Sequence, residues 1–275
     1  MSAAVELRGV GYTYGGSKRP ALMDASVTFP ERKVTAIVGS NGSGKSTMLR
    51  IISGQLIPSD GTIFIDGVQV DDDNADQLIG KRVGMVFQNP GSQFVATTLR
   101  QDLAFGLEND CVPPEDMDAA ILEAAKACGI EELLDREPDT LSGGQKQRAA
   151  LAGILVRKPS ILLLDEATSM LDPISRRGIF ELLEKIEKKY EKLTVIEVTH
   201  DWKEAYKADY LVALDAGRVV YSGDPRRIFE DYSQAVELGL EPSFEASLSH
   251  SLKDLGIDVE SFNSPEGLFR CLGLR

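Results

Sequence analysis

A short apolar run, Val34–Val38, leads directly into the nonapeptide Gly39-Ser40-Asn41-Gly42-Ser43-Gly44-Lys45-Ser46-Thr47. That loop leads in turn into a helix pattern carrying Leu49, Ile51 and Ile52. A buried strand feeding a helix through a glycine-rich loop is the phosphate-binding P-loop arrangement, and it directs the chain toward an α/β core. The glycines let successive backbone N–H groups converge on phosphate oxygens, and the helix N-terminus adds about half a positive charge. At this spacing Lys45 reaches the β- and γ-phosphates of a nucleotide, and the Ser46 hydroxyl ligates Mg²⁺.

Further apolar, β-branched runs at 83–87, 161–164, 195–198 and 210–214 read as buried strands. Between them lie helix patterns. In 173–190, Ile179, Leu182, Leu183 and Ile186 fall at i, i+3, i+4 and i+7 and form one apolar face. Strands alternating with helices imply a mostly parallel sheet. Two regions break the alternation. Between residues 5 and 67, the alternation of Tyr12, Tyr14, Val27 and Phe29, with a further strand at 62–65, predicts antiparallel strands flanking the core. Residues 91–158 read as helical: Pro113-Pro114 opens a helix on which Met117, Ile121, Ala124 and Cys128 share a face, and Gly129 closes it. After Gly223 the α/β pattern stops. Phe244, Leu248, Leu252 and Leu255 predict one helix face, and Ser264-Pro265 starts a second helix with Leu268, Phe269 and Leu272. Residues 1–224 thus read as one domain and 225–275 as a helical appendage.

The chain has 275 residues, enough to bury a sizeable core without staples. Its three cysteines, Cys111, Cys128 and Cys271, lack metal-ligand spacing and read as free thiols in a reducing compartment. Residues 1–6 carry no basic segment followed by an apolar stretch, so no secretory signal is expected. No apolar run approaches the roughly 18 residues of a membrane span; the longest is 149–156. Work at a membrane would require another chain to supply the spans. The net charge of −13, with Asp71, Asp72, Asp73 and Asp76 clustered, argues against nucleic acid as a partner.

Ser160 opens an apolar run that ends in Asp165 and Glu166. Beside a P-loop, Asp165 suits a hold on Mg²⁺ and Glu166 suits polarising the attacking water. Leu141-Ser142-Gly143-Gly144-Gln145 places two glycines directly before a helix bearing Arg148, Ala149, Leu151 and Leu155. Glycines there weaken the helix, and a second anion site at its N-terminus supplies a reason.

With these strings in order, residues from about 5 to 225 resemble the nucleotide-binding subunit of an ABC transporter. The resemblance implies a P-loop, RecA-like α/β core with an antiparallel β subdomain and an inserted helical subdomain. It implies that Ser142, Gly143, Gly144 and Gln145 contact ATP held by the P-loop of a second subunit in a head-to-tail dimer. Gln88 matches the Q-loop residue that meets Mg²⁺ and water. Ser169-Met170-Leu171-Asp172 matches the D-loop, with Asp172 facing the partner's ATP, although Met170 stands where a small residue is usual. His200, in Thr199-His200-Asp201, matches the switch histidine; His250 has no such context and reads as a surface residue. Tyr14 matches the aromatic that stacks on adenine, and Tyr12 competes for that role.

The string Phe87-Gln88-Asn89-Pro90-Gly91-Ser92-Gln93-Phe94-Val95-Ala96-Thr97-Thr98, followed by Asp102-Leu103-Ala104-Phe105-Gly106 and Glu108-Asn109, narrows the resemblance. It is similar to the ATPase subunits of energy-coupling factor importers of vitamins and transition-metal ions. There, two ATPase subunits, identical or homologous, dock on a transmembrane coupling subunit at the cytoplasmic face of the membrane. A separate membrane subunit chooses the substrate. Phe94 and Val95 are the nearest candidates for the floor of a docking groove, or belong to the core. Another ABC transporter's ATPase is the alternative. A soluble repair ATPase would need a long coiled coil that 91–165 cannot hold, and a translation ATPase would carry two cassettes. A regulator without turnover would lack Glu166 or His200.

Overall fold

The computed structural model describes residues 2–255 apart from 239, 241 and 243. In chain order the elements are β1 (Ala3–Tyr12), β2 (Leu22–Pro30), β3 (Val34–Val38), α1 (Lys45–Ile52), β4 (Asp60–Ile65), β5 (Val68–Gln69) and β6 (Val83–Val86). There follow α2 (Leu99–Asn109), α3 (Pro114–Cys128), α4 (Gly143–Leu155), β7 (Ile161–Asp165), α5 (Pro173–Lys189), β8 (Thr194–Val198) and α6 (Trp202–Lys207). The last are β9 (Tyr210–Asp215), β10 (Arg218–Gly223), α7 (Pro225–Phe229), α8 (Tyr232–Glu237) and α9 (Phe244–Asp254).

The strands form two sheets. One has the order β10-β9-β3-β8-β7-β6, parallel except where β10 turns back on β9. The other is antiparallel, in the order β2-β1-β4-β5. A strand central to a parallel sheet is covered on both faces, so it must be apolar throughout. Accordingly β7 is buried at every position. β10, at the edge, alternates between exposed and half-buried.

α1 lies between the sheets. Its Met48, Leu49, Ile51 and Ile52 pack with Ile37, Leu163 and Val212 of the parallel sheet and with Val5, Leu7 and Phe29 of the antiparallel one. Phe29 is fully buried there, and truncating such a ring typically costs about 3–5 kcal/mol. This packing anchors the P-loop, because the loop is the direct connection between β3 and α1.

α2, α3 and α4 form the predicted helical insertion between β6 and β7. Ile121, Ala124 and Cys128 of α3 are buried with Leu99, Leu103, Leu151 and Leu155, and Met117 is half-buried at their edge. Gly129 ends α3 at φ 65, the left-handed conformation that glycine adopts without penalty. The Cys128 thiol is pushed up to about 12 by burial, with Arg148 and Lys189 pulling the other way. It is an inert core residue.

Beyond β10, Ile228, Phe229 and Ala235 bury themselves against Ala36, Val38, Leu211 and Ala213 of the parallel sheet. On α9 the expected apolar face, which could pack on the core or meet a partner, is half-buried at Leu248 and Leu252. Phe244 and Leu255 are 68% and 76% exposed, whereas Ala246 and Ser249 are buried. On the same helix His250 stacks flat on Tyr232 of α8 at 3.9 Å. His250, 42% exposed at its side chain, lies at the surface as expected and also packs on Tyr232. The helix expected after Ser264, with Leu268, Phe269 and Leu272, lies outside the described residues.

Candidate functional site

The P-loop is shaped by steric necessity at two glycines. Gly39 has φ 142, and a Cβ there would sit 2.1 Å from the Leu214 carbonyl oxygen of β9. Gly44 has φ 105, and its Cβ would lie 2.5 Å from the Ala21 carbonyl oxygen. No L-residue fits either position without moving backbone. Ser40, Asn41 and Gly42 form the exposed tip, and Ser43 is buried with a hydroxyl that has no partner among the described residues. No side chain caps α1, so its first amides remain available to an anion.

Lys45 is only 5% exposed. Its ammonium donates to the carbonyl oxygens of Gly39 at 2.9 Å and Ser40 at 3.0 Å. An ammonium has three donors, so one remains for a ligand. Burial pulls the Lys45 pKa below the ordinary lysine value, while the charges of Glu166 and Asp165 oppose that shift. The next residue, Ser46, donates to Asp165 Oδ1 at 2.8 Å, which ties the start of α1 to the end of β7. Burial raises the Asp165 carboxyl above its usual range; the Ser46 bond works against this and the Glu166 charge adds to it. Thr47 Oγ1 lies 3.2 Å from the Tyr14 hydroxyl. Tyr14 follows the end of β1 and meets Tyr12 edge-on at 4.9 Å. The two tyrosines therefore form one aromatic pair beside the loop.

Glu166 leaves β7 with φ 48, a left-handed conformation rare outside glycine. Its amide donates to the Val198 carbonyl at 3.2 Å, which fixes the turn against β8. In that conformation both carboxylate oxygens are engaged. Oε1 is 2.8 Å from His200 Nε2. Oε2 accepts from Gln88 Nε2 at 3.1 Å, and Gln88 also reaches the Ser169 hydroxyl at 3.4 Å. Gln88, Glu166 and His200, distant in sequence, thus meet at one carboxylate next to the Ser46–Asp165 pair.

Gln93 was legible in the sequence only as part of a family string, yet it has a definite job. Its side chain accepts from the Phe87 amide at 3.1 Å and donates to the Met85 carbonyl at 3.2 Å, stapling the segment after Gln88 back onto β6. Asp102 of α2 accepts from the amides of Val95 and Ala96. The segment from Gln88 onward is therefore tied to β6 at one end and to the helical insertion at the other.

At 141–145 the structure corrects the expected layout. Gly143 and Gly144 are the first turn of α4 itself, not an approach to it. Ser142 is the N-cap: its hydroxyl accepts from the Gln145 amide at 3.4 Å, while Gln145 Oε1 accepts from the Ser142 amide at 2.9 Å. This reciprocal capping box offsets the poor helix propensity of the glycines. Packing adds a second reason for glycine, since a Cβ on Gly144 would lie 3.0 Å from Ser175 Oγ at the start of α5. Asp172 caps that helix, accepting from the amides of Ile174 and Ser175 at 3.0 and 3.1 Å. The Ser175 hydroxyl first, and then these amides, hold its carboxyl below the usual range. The starts of α4 and α5 are therefore neighbours, and the capping bonds at 142–145 stay within α4, while the bonds of Lys45 stay within the P-loop.

With this geometry in view, comparison with known proteins is decisive. The profile of the ABC transporter family matches residues 22–169. The chain belongs to the ABC transporter family. Within the family it is 42% identical, over 262 residues, to the energy-coupling factor transporter ATP-binding protein EcfA of Enterococcus faecium, covering 95% of this chain and 93% of that protein. It is 43% identical over 255 residues to EcfA1 of Bacillus subtilis, covering 92% and 90% of the two chains. The solved structure of CbiO1 from Clostridium perfringens, described as part of the ABC transporter complex CbiONQ, superposes with a TM-score of 0.76 at 31% identity, over 93% of this chain and 98% of that one. The cassette MJ0796, solved as a dimer in a post-hydrolysis state bound to ADP and Pi, gives 0.72 at 31% identity, over 81% and 99%.

Proposed function

We propose that this chain binds and hydrolyses ATP to power an energy-coupling factor importer of vitamins or transition-metal ions, working from the cytoplasmic face of the membrane. ATP-driven transport is the work of the family to which it belongs. The observation that carries the catalytic reading is the convergence of Gln88 and His200 on the two oxygens of Glu166, beside Asp165, Ser46 and Lys45.

On this reading the P-loop amides of residues 39–47 and the third donor of Lys45 hold the phosphates, and Tyr14, braced by Tyr12, stacks on the adenine. Glu166 takes a proton from the attacking water, Gln88 orients that water, and His200 contacts the γ-phosphate. Ser46, Asp165 and Gln88 offer hard oxygen donors with one close carboxylate. Among the described residues no group of three or more His, Cys, Asp or Glu side chains forms a metal cage. Such a donor set fits Mg²⁺, which favours one or two carboxylates together with substrate phosphates. Bound there, Mg²⁺ would neutralise charge building on the phosphate oxygens.

The capping box occupies the Gln145 side chain, so what 141–145 offers a nucleotide is the Ser142 hydroxyl and the amides of Gly143 and Gly144 at a helix N-terminus. These face ATP on a second ATPase subunit, identical or homologous, with Asp172 beside them. Among the described residues no helix is long and apolar enough to cross a membrane. A transmembrane coupling subunit and a membrane subunit that binds the substrate complete the assembly on this reading, and no nucleic acid takes part. Residues 1–224 form the ATPase unit, with 91–158 its helical subdomain and 225–275 an appended helical region. The test is to purify the tagged chain from membranes, identify its companions by mass, and measure ATP-dependent uptake in vesicles. Companions without membrane spans would overturn the proposal.

A further inference from the structure

His200 is 44% exposed at its side chain, and its ring meets Glu166. Its backbone, by contrast, is held through its neighbours. Thr199 is buried, and its amide donates to the Ile37 carbonyl of β3. The Thr199 hydroxyl is used in both directions: it accepts from the Asp201 amide at 3.0 Å and donates to Glu204 Oε2. Asp201 caps α6, and Glu204 lies in the first turn of that helix. His200 thus sits between two residues whose positions converge on one hydroxyl, and that hydroxyl is fixed by Glu204.

Glu204 is an expensive residue to place here if it serves only as part of a cap. It is half-buried, and its second oxygen, Oε1, is buried with no hydrogen-bond partner among the described residues. The groups that act on it are few. Asp201 on its own helix and Glu197 on β8 repel it, and Arg176 of α5 attracts it. Arg176 also donates to the Thr168 carbonyl at 3.3 Å, in the loop that follows Glu166. One carboxylate therefore links both sides of the His200–Glu166 contact, through Thr199 on one side and through the field of Arg176 on the other. Burial raises the Glu204 carboxyl to about 7, while the Thr199 bond pulls it down.

We propose that Glu204 is a positioning residue for ATP hydrolysis, which sets His200 against Glu166 by anchoring the Thr199 hydroxyl. The proposal rests on the reading of His200 as the γ-phosphate contact, so the experiment must separate the two. ATP hydrolysis by the full-length chain is measured for Glu204→Ala, Glu204→Gln, His200→Ala and the double variant, with the KM for ATP determined for each. A hydrogen bond to a charged group is commonly worth about tenfold or more. Glu204→Ala should lower kcat by about that factor and leave KM unchanged. Glu204→Gln, whose carbonyl oxygen still accepts from Thr199, should recover most of the loss. In the His200→Ala background, Glu204→Ala should cost nothing further, as coupled sites require.

A wild-type kcat in Glu204→Ala alongside an inactive His200→Ala overturns this proposal alone. A full further loss in the double variant does the same, because it means that Glu204 acts elsewhere. A wild-type rate in His200→Ala overturns the reading of His200 and this proposal with it. If Glu204→Ala fails to fold, Glu204→Asp keeps the charge but shortens the reach; an undiminished rate in that variant also overturns the proposal.

Discussion

Glu166 occupies a conformation that costs a non-glycine residue about 1–2 kcal/mol, and its φ of 48 persists because β8, His200 and Gln88 all hold it. Strain of this kind gathers where geometry serves chemistry. If Glu166 accepts the proton of the attacking water, Glu166→Gln should still bind ATP and should lose hydrolysis by a factor of about 10²–10⁴. Turnover near the wild-type rate, measured by phosphate release, would refute the role. A second pair of variants separates the chain's own site from the one it completes on its partner. Lys45→Ala removes a phosphate contact within the chain and should weaken ATP binding itself. Ser142→Arg should leave the affinity of a single subunit nearly intact while hydrolysis collapses, because the bonds of Ser142 are to Gln145 of its own helix and not to its own P-loop. Equal losses of ATP affinity in a fluorescent-nucleotide titration would argue against shared sites. The carboxylate at the end of an apolar strand was readable from residues 160–166. The twist at Glu166 was not, since nothing in a glutamate signals positive φ.

The elements show why some boundaries were legible and others were not. Pro114 and Gly129 bracket α3 with residues whose backbone preferences leave little choice, and the helix runs between them as predicted. At α4 the same logic misled by two residues: the glycines read as standing directly before the helix, yet the capping box of Ser142 and Gln145 carries the helix through them. At α9 the spacing of Phe244, Leu248, Leu252 and Leu255 was correct for a helix, but it could not say which of them would be covered: Leu248 and Leu252 are half-buried, whereas Phe244 and Leu255 are exposed. The glycines of α4 can be tested directly. In an open helix, Gly→Ala gains about 1 kcal/mol. At Gly144 the new Cβ would press to 3.0 Å from Ser175 Oγ and 3.1 Å from its Cβ, so Ser175 at the start of α5 would have to give way. Gly144→Ala should therefore show no gain in urea-denaturation stability. A gain of the full amount would mean that α5 yields freely and that packing does not require glycine there.

For the molecule as a whole, surface and interior separate two residues that the sequence could not. Phe94 is half-buried against the helical core, whereas Val95 is 71% exposed. If the segment after Gln88 meets the membrane partner, Val95→Asp should weaken its pull-down while ATP binding survives. Phe94→Asp should instead destabilise the helical insertion, seen as a lower melting temperature. The interior also carries a pH dependence at odds with the acidity of the surface. Glu197 on β8 is pushed from 4.5 up to about 8 by burial first, then by the charges of Glu204 and Glu187. Glu204 is raised to about 7, and burial, reinforced by Glu184 and Asp209, raises Glu187 as well. Between pH 4.5 and 8 the folded chain therefore holds protons on these groups that the unfolded chain has released. Where the folded state binds more protons, stability falls as pH rises. Their contribution is intact below about pH 4.5 and is lost progressively up to about pH 8. The carboxylates at the helix caps Asp172 and Asp231 are held below their usual range, so they finish titrating on the acid side of this window and do not oppose the trend within it. Melting temperatures of the nucleotide-free chain at constant ionic strength should accordingly fall from pH 5.5 to 8.5. Glu197→Gln cannot ionise and should flatten that slope, gaining most over the wild type at the alkaline end. A wild-type melting temperature that rises across this range, or a Glu197→Gln slope equal to the wild-type one, would show that Glu197 meets water or a cation in solution and is not raised by burial.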